Sequence, residues 1–426
     1  MRYSAGQKGV SIVFLYIDPG TGSMLFSIII GVVATLFFSL RVLALRLKVV
    51  FASKDAKERA AKSRNVYPIV IYNEGKQYCS VFKPVLEELE KSWGGVRVKY
   101  LTSFEDDPAL SAGYKNIACQ YICSGNKAFA YLNFLAADVV LMTTPGLDVY
   151  QLKRSKLVKH YAHILHAAND VSMYRLFGLD YFDSVLLTGD AQRRDLLDME
   201  ASRDIAKKEL VTVGCKYLDY QMGRIAKLPK EEKHEFTVLL SPTWGPSGLL
   251  SRYGAKLLDP LVDTGFHVIL RPHPQSILVE KDMIGVLKSR YEGKSNVEWD
   301  FSRDNLMSLS KADAMISDFS GIIFDYAFMF DRPVLYAKSD VDLRIYDAGT
   351  LGHDPVGFEM LPRVGVELKE EQFCDIGSVL ERACADSSLK AQRQEAKDML
   401  WQHRGESGRL VANFLVDKVK EIEGRN

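Results

Sequence analysis

No sign of charge dominates this sequence: 55 Lys and Arg stand against 54 Asp and Glu, a formal net charge of +1. A dedicated nucleic-acid binder normally carries a strong basic excess, so no nucleic acid is expected as a partner. Cysteine is scarce, six in 426 residues and without regular spacing, which excludes a disulfide scaffold. Cys119 and Cys123 stand close together, but no His or further Cys completes a zinc set. No D-x-D pair has a clear ligand role, so no metal is expected. There is no Walker lysine, and no G-x-G-x-x-G follows the first strand-like run. Those absences argue against P-loop chemistry and against a nicotinamide enzyme, and no cofactor is expected. Internal repeats and low-complexity tracts are missing as well. The remaining composition, 47% hydrophobic and 26% charged, is that of an ordinary globular protein. Its length exceeds one compact core, so two domains are expected.

Long hydrophobic runs are also rare, with one exception. Residues 23–40, SMLFSIIIGVVATLFFSL, carry no charge and are apolar all round. At about 1.5 Å per residue, such a run with its flanks crosses a hydrocarbon core of roughly 30 Å. A buried core helix would show a polar stripe. A cleaved signal peptide would be shorter and followed by small residues, whereas Arg41, Arg46 and Lys48 follow here. The expectation is a short extracytoplasmic stub over 1–22, a transmembrane helix over 23–47 and a basic juxtamembrane segment over 48–66. Residues 41–64 hold eight Lys or Arg against Asp55 and Glu58. The positive-inside rule then makes the chain a single-pass protein of the cell inner (cytoplasmic) membrane, its later domains on the cytoplasmic side. The basic stretch suits anionic head groups. DPGTGS at 18–23 lacks the Gly-Lys-Ser/Thr ending of a phosphate loop and reads as a turn.

From residue 67 onward, short β-branched runs alternate with longer amphipathic stretches, the signature of a mostly parallel sheet covered by helices. The alternation pauses at LPKEEKHE and then restarts. The expected fold is α/β with two Rossmann-like domains facing a cleft. The first covers 67–226, a linker 227–235, the second 236–386, and a C-terminal helix 387–426. In open α/β sheets, ligands sit beyond the carboxyl ends of the strands.

Four features fall at such ends. In RPHP, residues 271–274, two prolines stiffen the loop after HVIL and fix where Arg271 and His273 point. Arg271 offers a planar fork to phosphate, and His273 a proton or hydrogen bond to a phosphoryl oxygen. SDFSG, residues 317–321, joins a buried strand to an apolar helix, so Ser320 or Asp318 suits a helix cap. The backbone N–H groups of Ser320, Gly321 and Ile322, with the Ser320 hydroxyl, suit a phosphate held at the positive helix end, and Gly321 permits its close approach. SPTW, residues 241–244, offers Thr243 to phosphate and Trp244 to either core or cleft wall. In HYAHILHAAND, His166 ends a strand and faces the cleft as a candidate base, although a histidine on an apolar strand is as readily a core residue.

SPTW, RPHP and the run DNLMSLSKADAMISDFSGIIFDYAFMFDRPVLY over 304–336 resemble the CDP-glycerol glycerophosphotransferase family, enzymes of the teichoic-acid primase and polymerase type. The sequence departs from that pattern at Gly321, where a second Ser is usual. The family's W-H-G loop corresponds to LHA here, which places His166 at its histidine. The resemblance implies a GT-B fold and transfer of glycerol phosphate, or a related polyol phosphate, from CDP-glycerol or a similar CDP-polyol. The acceptor would be a hydroxyl of a lipid-linked or cell-envelope polymer, and CMP would leave. It also implies roles: His166 as base, His273 with Arg271 on the β-phosphate, and Ser317, Asp318, Ser320 and Gly321 around the donor's diphosphate or glycerol end. A GT-B glycosyltransferase using a nucleotide sugar for envelope polysaccharide is the alternative. A catalytically silent membrane-anchored scaffold is the second.

Overall fold

Two parallel sheets organise the chain in a computed structural model that describes residues 67–91, 96–229 and 235–424. The expected stub, transmembrane helix and juxtamembrane segment lie outside the described residues, as do residues 230–234 of the expected linker. Among the described residues no helix is long and apolar enough to cross a membrane.

The first sheet has seven strands in the order β3-β2-β1-β4-β5-β6-β7. They are β1 (Tyr67–Asn73), β2 (Val98–Thr102), β3 (Ile117–Tyr121), β4 (Ala136–Met142), β5 (Leu157–Ile164), β6 (Ser184–Leu187) and β7 (Glu209–Thr212). The second has six in the order β10-β9-β8-β11-β12-β13. These are β8 (Thr237–Leu240), β9 (His267–Leu270), β10 (Val297–Trp299), β11 (Ala314–Ser317), β12 (Val334–Tyr336) and β13 (Val366–Glu367). Sequence pattern follows position. Ile69, Val70 and Ile71 of β1, and all of β8 and β11, are buried on both faces, hence their unbroken apolar runs. The edge strands β3 and β10 show polar, exposed positions instead.

Strand order reverses between β1 and β4 in one sheet and between β8 and β11 in the other. These are the topological switch points, where crossovers leave in opposite directions and open a crevice. SPTW follows β8 and SDFSG follows β11, so both motifs stand at the switch point of the second sheet.

Helices cover both faces of each sheet. The helix Cys79–Glu90 buries Val81, Phe82, Val85, Leu86 and Leu89, one stripe at helical spacing, against the first sheet. The helix Ile322–Phe330 is apolar nearly all round and is sandwiched accordingly. A further cluster joins the two halves: Ala168, Cys215 and Leu218 pack with Leu239, Met315, Ile323, Phe324 and Trp401. The C-terminal stretch differs from expectation. Residues 387–426 hold two helices, Ser387–Leu400 and Ser407–Gly424. The turn between them needs positive φ at His403 and Gly405, which stops the first helix. The last helix returns to the first half, where Val411, Ala412, Leu415 and Val416 pack with Ile69 and Val85. All six cysteines are free thiols.

Candidate functional site

The second switch point is built around one carboxylate. Asp318, fully buried, accepts from Thr243 N at 3.0 Å, Leu249 N at 3.1 Å and Ser320 N at 3.1 Å. It therefore pins three backbone segments, the loop after β8, the helix Leu249–Tyr253 and the loop after β11. Burial pushes its carboxyl up, and the three N–H donors oppose that shift. Ser317, also fully buried, donates its hydroxyl to the Ser241 carbonyl at 2.6 Å, tying β11 to the same loop. Both side chains face the protein, so they shape the cradle and do not line it.

What lines it is Thr243, Ser320, Gly321 and His273 on one side, with Asn169, Asp170 and Met173 from the loop after β5 on the other. Phe319, Phe324, Gly357, Phe358 and Leu361 close the cavity of about 260 Å³. The helix Ile322–Phe330 starts there with Gly321 as its N-cap and no side chain on its first N–H groups. Its positive end thus faces the cavity. A Cβ on Gly321 would lie 3.1 Å from Asn169 Nδ2, tighter than ordinary contact, so a side chain from the opposite half explains why this chain departs from Ser.

His273 is fixed by its own loop. It is the N-cap of the helix Pro274–Val279, whose first residue is the second proline of RPHP. Its Nδ1 accepts from Gln275 N at 3.1 Å. In the neutral ring the proton therefore sits on Nε2, which becomes a donor. Burial lowers its pKa, partly offset by Glu280, and favours that neutral form. Trp244, 47% exposed, lies nearly parallel to the His273 ring at 6.5 Å. It is cleft wall and not core.

Arg271 lies elsewhere. Only 8% exposed, its guanidinium is engaged by the Asp300 carboxylate, by Ser302 Oγ at 3.3 Å and by the Ser302 carbonyl at 2.8 Å. The fork expected to hold phosphate instead clamps the loop after β10. The strand-end position was legible, but the competing acceptors on a neighbouring strand were not.

His166 sits two residues beyond β5 and is not among the residues lining the cavity. Its ring meets Tyr78 edge-on at 5.2 Å, and its buried Nδ1 has no hydrogen-bond partner. Burial first, and then the positive charge of Lys216, push its pKa down to about 4. It is neutral, as a base must be, but a weak one in this surrounding. Asp170 does not orient it. That carboxylate accepts from Ser172 N and Oγ, both at 2.7 Å, and from Gly357 N at 3.2 Å. With Asp195 on Val356 N at 3.0 Å, it caps the helix Val356–Val364 from across the cleft.

Two titratable groups escaped the sequence reading. Asp325, in the first turn of the helix Ile322–Phe330, is pushed up to about 7 by burial alone. Lys216, 0% exposed, is pushed down to about 8, again by burial first. Asp325 lies inside the quoted FDY run, which was a signal. Lys216 had none, since a lysine in a charged stretch reads as surface. Among the described residues no group of three His, Cys, Asp or Glu is placed to hold a metal ion.

Comparison with known proteins bears on the family and the fold. The family described as CDP-Glycerol:Poly(glycerophosphate) glycerophosphotransferase matches residues 219–352, which contain all three strand-end motifs of the second half. No curated protein matches the chain. Among solved structures, the wall teichoic acid polymerase TagF is similar at 17% identity and a TM-score of 0.54, over 92% of this chain and 98% of that one. UDP-GlcNAc 2-epimerase from Neisseria meningitidis, bound to UDP-GlcNAc, is similar at 14% identity and a TM-score of 0.53, over 82% and 99%. S. aureus MnaA with UDP is similar at 12% identity and a TM-score of 0.54, over 83% and 96%. At these identities the structures bear out the α/β fold of two Rossmann-like halves, and the family match bears out the resemblance read from the motifs.

Proposed function

With residues 219–352 marking the chain as a transferase of the CDP-glycerol glycerophosphotransferase type, we propose that it moves glycerol phosphate, or a related polyol phosphate, from a CDP-polyol to a hydroxyl of a lipid-linked or cell-envelope polymer, releasing CMP. The observation that carries this reading is the switch-point cradle: Thr243, Ser320, Gly321 and His273 converge on the open N-terminus of the helix Ile322–Phe330. Backbone N–H groups, a helix dipole and a neutral imidazole N–H are the donors that phosphate oxygens require. A cavity of about 260 Å³ fits a diphosphate-sized group. The exposed Trp244 beside His273 offers the base a face outside it.

In the reaction an acceptor oxygen attacks the β-phosphorus of the donor. The bond from that phosphorus to the bridging oxygen breaks, and CMP leaves with the bond's electron pair. His273 Nε2–H and the helix end stabilise charge on the phosphoryl oxygens. His166, neutral and on the opposite half, receives the acceptor's proton. Positioning and charge stabilisation suffice for such a transfer, with no covalent intermediate. Arg271, Ser317 and Asp318 act indirectly, by holding the loops that carry Thr243, His273 and Ser320.

The apolar run at 23–40 with its basic flank motivates a membrane anchor that holds the enzyme on the cytoplasmic face of the inner membrane, beside a lipid-linked acceptor. Incubating membranes with labelled CDP-glycerol and CDP-ribitol, and measuring CMP release and lipid-linked product, tests the whole reading. Consumption of UDP-sugars with CDP-polyols untouched would instead establish the nucleotide-sugar alternative.

A further inference from the structure

Nine buried side-chain atoms among the described residues have no hydrogen-bond partner in the protein. Five of the nine lie along the carboxyl edge of the first sheet: Thr143 Oγ1 and Thr144 Oγ1 after β4, His163 Nδ1 and His166 Nδ1 at the end of β5, and Thr188 Oγ1 after β6. Strand register brings them level. Ile164 pairs with Leu186, so His166 and Thr188 each stand two residues beyond that last pair. Leu187 pairs with Thr212, which sets Thr188 beside Val213, just before Gly214. Buried polar groups are normally satisfied, so such a concentration needs a cause.

Lys216 stands at the same edge. It is 0% exposed and begins the helix Lys216–Ile225, and among the described residues its ammonium donates to the Gly214 carbonyl at 3.0 Å. No carboxylate among the described residues pairs with it. Cys215 beside it is a neutral thiol, its pKa pushed up to about 12 by burial. Asp219, on the same helix, is committed to Trp401 Nε1 at 3.0 Å, Gly405 N at 2.9 Å and Ser407 N at 3.2 Å. Lys216 lowers the pKa of both His163 and His166, so all three feel one another. A buried ammonium without a counter-ion is costly, and a protein keeps one where an anion arrives.

We propose that Lys216, with His166 and Thr188, forms an anion subsite in the N-terminal half that takes the phosphodiester of the acceptor's terminal unit. Its chemistry matches such a group: an ammonium, a hydroxyl, an imidazole nitrogen and a helix N-terminus, while Asp219, whose charge reaches the ammonium, spends its oxygens on Trp401, Gly405 and Ser407. His166 as a residue is half-buried, whereas Lys216 is fully buried, so the anion would enter past His166. The subsite also gives His166 its timing. In the free protein burial first, and then Lys216, hold the imidazole a weak base. An anion bound to Lys216 cancels that charge and raises the basicity of His166 when the acceptor is present.

The inference rests on the polyol-phosphate reading, and two measurements on the full chain keep them apart. In turnover, Lys216→Met is expected to raise the acceptor KM at least ten-fold while leaving the donor KM unchanged and Tm no lower, since an unpaired buried charge is removed. An unchanged acceptor KM, or a rise in donor KM instead, overturns the subsite. In binding, glycerol 3-phosphate added to histidine-labelled protein is expected to shift the His166 ring resonances in the parent and not in Lys216→Met. Thr188→Val serves if the methionine variant does not fold, with the shift expected to weaken. Resonances of His166 unmoved by glycerol 3-phosphate sink the subsite. A shift with no CMP released from any CDP-polyol sinks the reaction and leaves the subsite standing.

Discussion

At the carboxyl edge of the second sheet, Asp318, Ser317 and Arg271 have every strong contact within the protein. At the same edge of the first sheet, Thr143, Thr144, His163, His166 and Thr188 leave buried atoms unpartnered, and Lys216 lacks a counter-ion. The two halves share a topology and treat their switch points differently. One spends its motif side chains on rigid loops and offers backbone N–H groups to the ligand. The other keeps side-chain donors and acceptors open. A donor with one fixed diphosphate suits the first arrangement. A polymer end, presented many times with the same phosphodiester, suits the second, in which binding completes the polar set.

The largest expected effect breaks the rigid side. Asp318→Ala leaves the buried N–H of Leu249 and the half-buried N–H groups of Thr243 and Ser320 without their acceptor, at about 1–3 kcal/mol for the buried one and less for the others. Tm should fall by many degrees, and kcat/KM for the CDP-polyol should fall to background. A variant with wild-type Tm would show that the loops hold without Asp318, and the contrast between the halves would be lost. Next in size is His273→Gln against Arg271→Met. Removing a donor aimed at phosphoryl oxygens costs about 10²–10³ in kcat. His273→Gln should show that loss with Tm nearly unchanged. Arg271→Met should do the reverse, lowering Tm while kcat falls less than ten-fold. If Arg271→Met abolishes donor binding at wild-type Tm, its guanidinium reaches the ligand after all.

Stability against pH sharpens the same contrast, because the halves carry opposite signs. His163 and His166 of the first half are depressed to about 3 and about 4 from an ordinary 6.5, by burial. A depressed histidine stabilises the fold above its unfolded pKa, and that stability is lost as pH falls below 6.5 towards the folded values. Asp325 of the second half is raised to about 7 from 3.8. Its stability is present below 3.8 and is lost as pH rises through 7. Melting curves from about pH 5 to pH 8 separate them. Asp325→Asn should raise Tm most at the alkaline end, and His163→Phe most at the acid end. Parallel curves for parent and variants would remove both assignments.

The fold was largely written in the sequence because buried parallel strands announce themselves: PIVIY, TVLL and AMIS are apolar through their middles, with Thr237 and Ser317 only at strand ends. Three strand-end motifs and the loop of His166 were legible for the same reason, since each follows such a run. Side-chain direction was not legible. Arg271 and Ser317 sit where phosphate ligands sit, yet Asp300, Ser302 and Ser241, each distant in sequence, take their donors. Lys216 was invisible because a lysine in a charged stretch reads as surface, and only the folded chain shows it 0% exposed with its ammonium on the Gly214 carbonyl. The single C-terminal helix became two because only backbone geometry shows His403 and Gly405 at positive φ.

The smallest expected effect probes a contact between the halves at the cavity. Gly321 has ordinary helical φ and ψ, so glycine is not required by the backbone. It is required by space, since a Cβ would stand 3.1 Å from Asn169 Nδ2 and 3.4 Å from its Cγ. Gly321→Ser adds the hydroxyl usual in the family and forces Asn169 to turn. Because an amide at the end of a flexible side chain gives way more easily than backbone, the cost should be about 1 kcal/mol, at the low end for overpacking. The donor KM should change only a few-fold, while the acceptor KM rises through the displaced loop after β5. Asn169→Ala alone should leave stability nearly unchanged, and the double variant should recover what Gly321→Ser lost. A double-mutant cycle on Tm and on both KM values reads this coupling directly. Additive losses would mean that residue 321 and residue 169 act separately, and that the donor cradle does not sense the acceptor half through this contact.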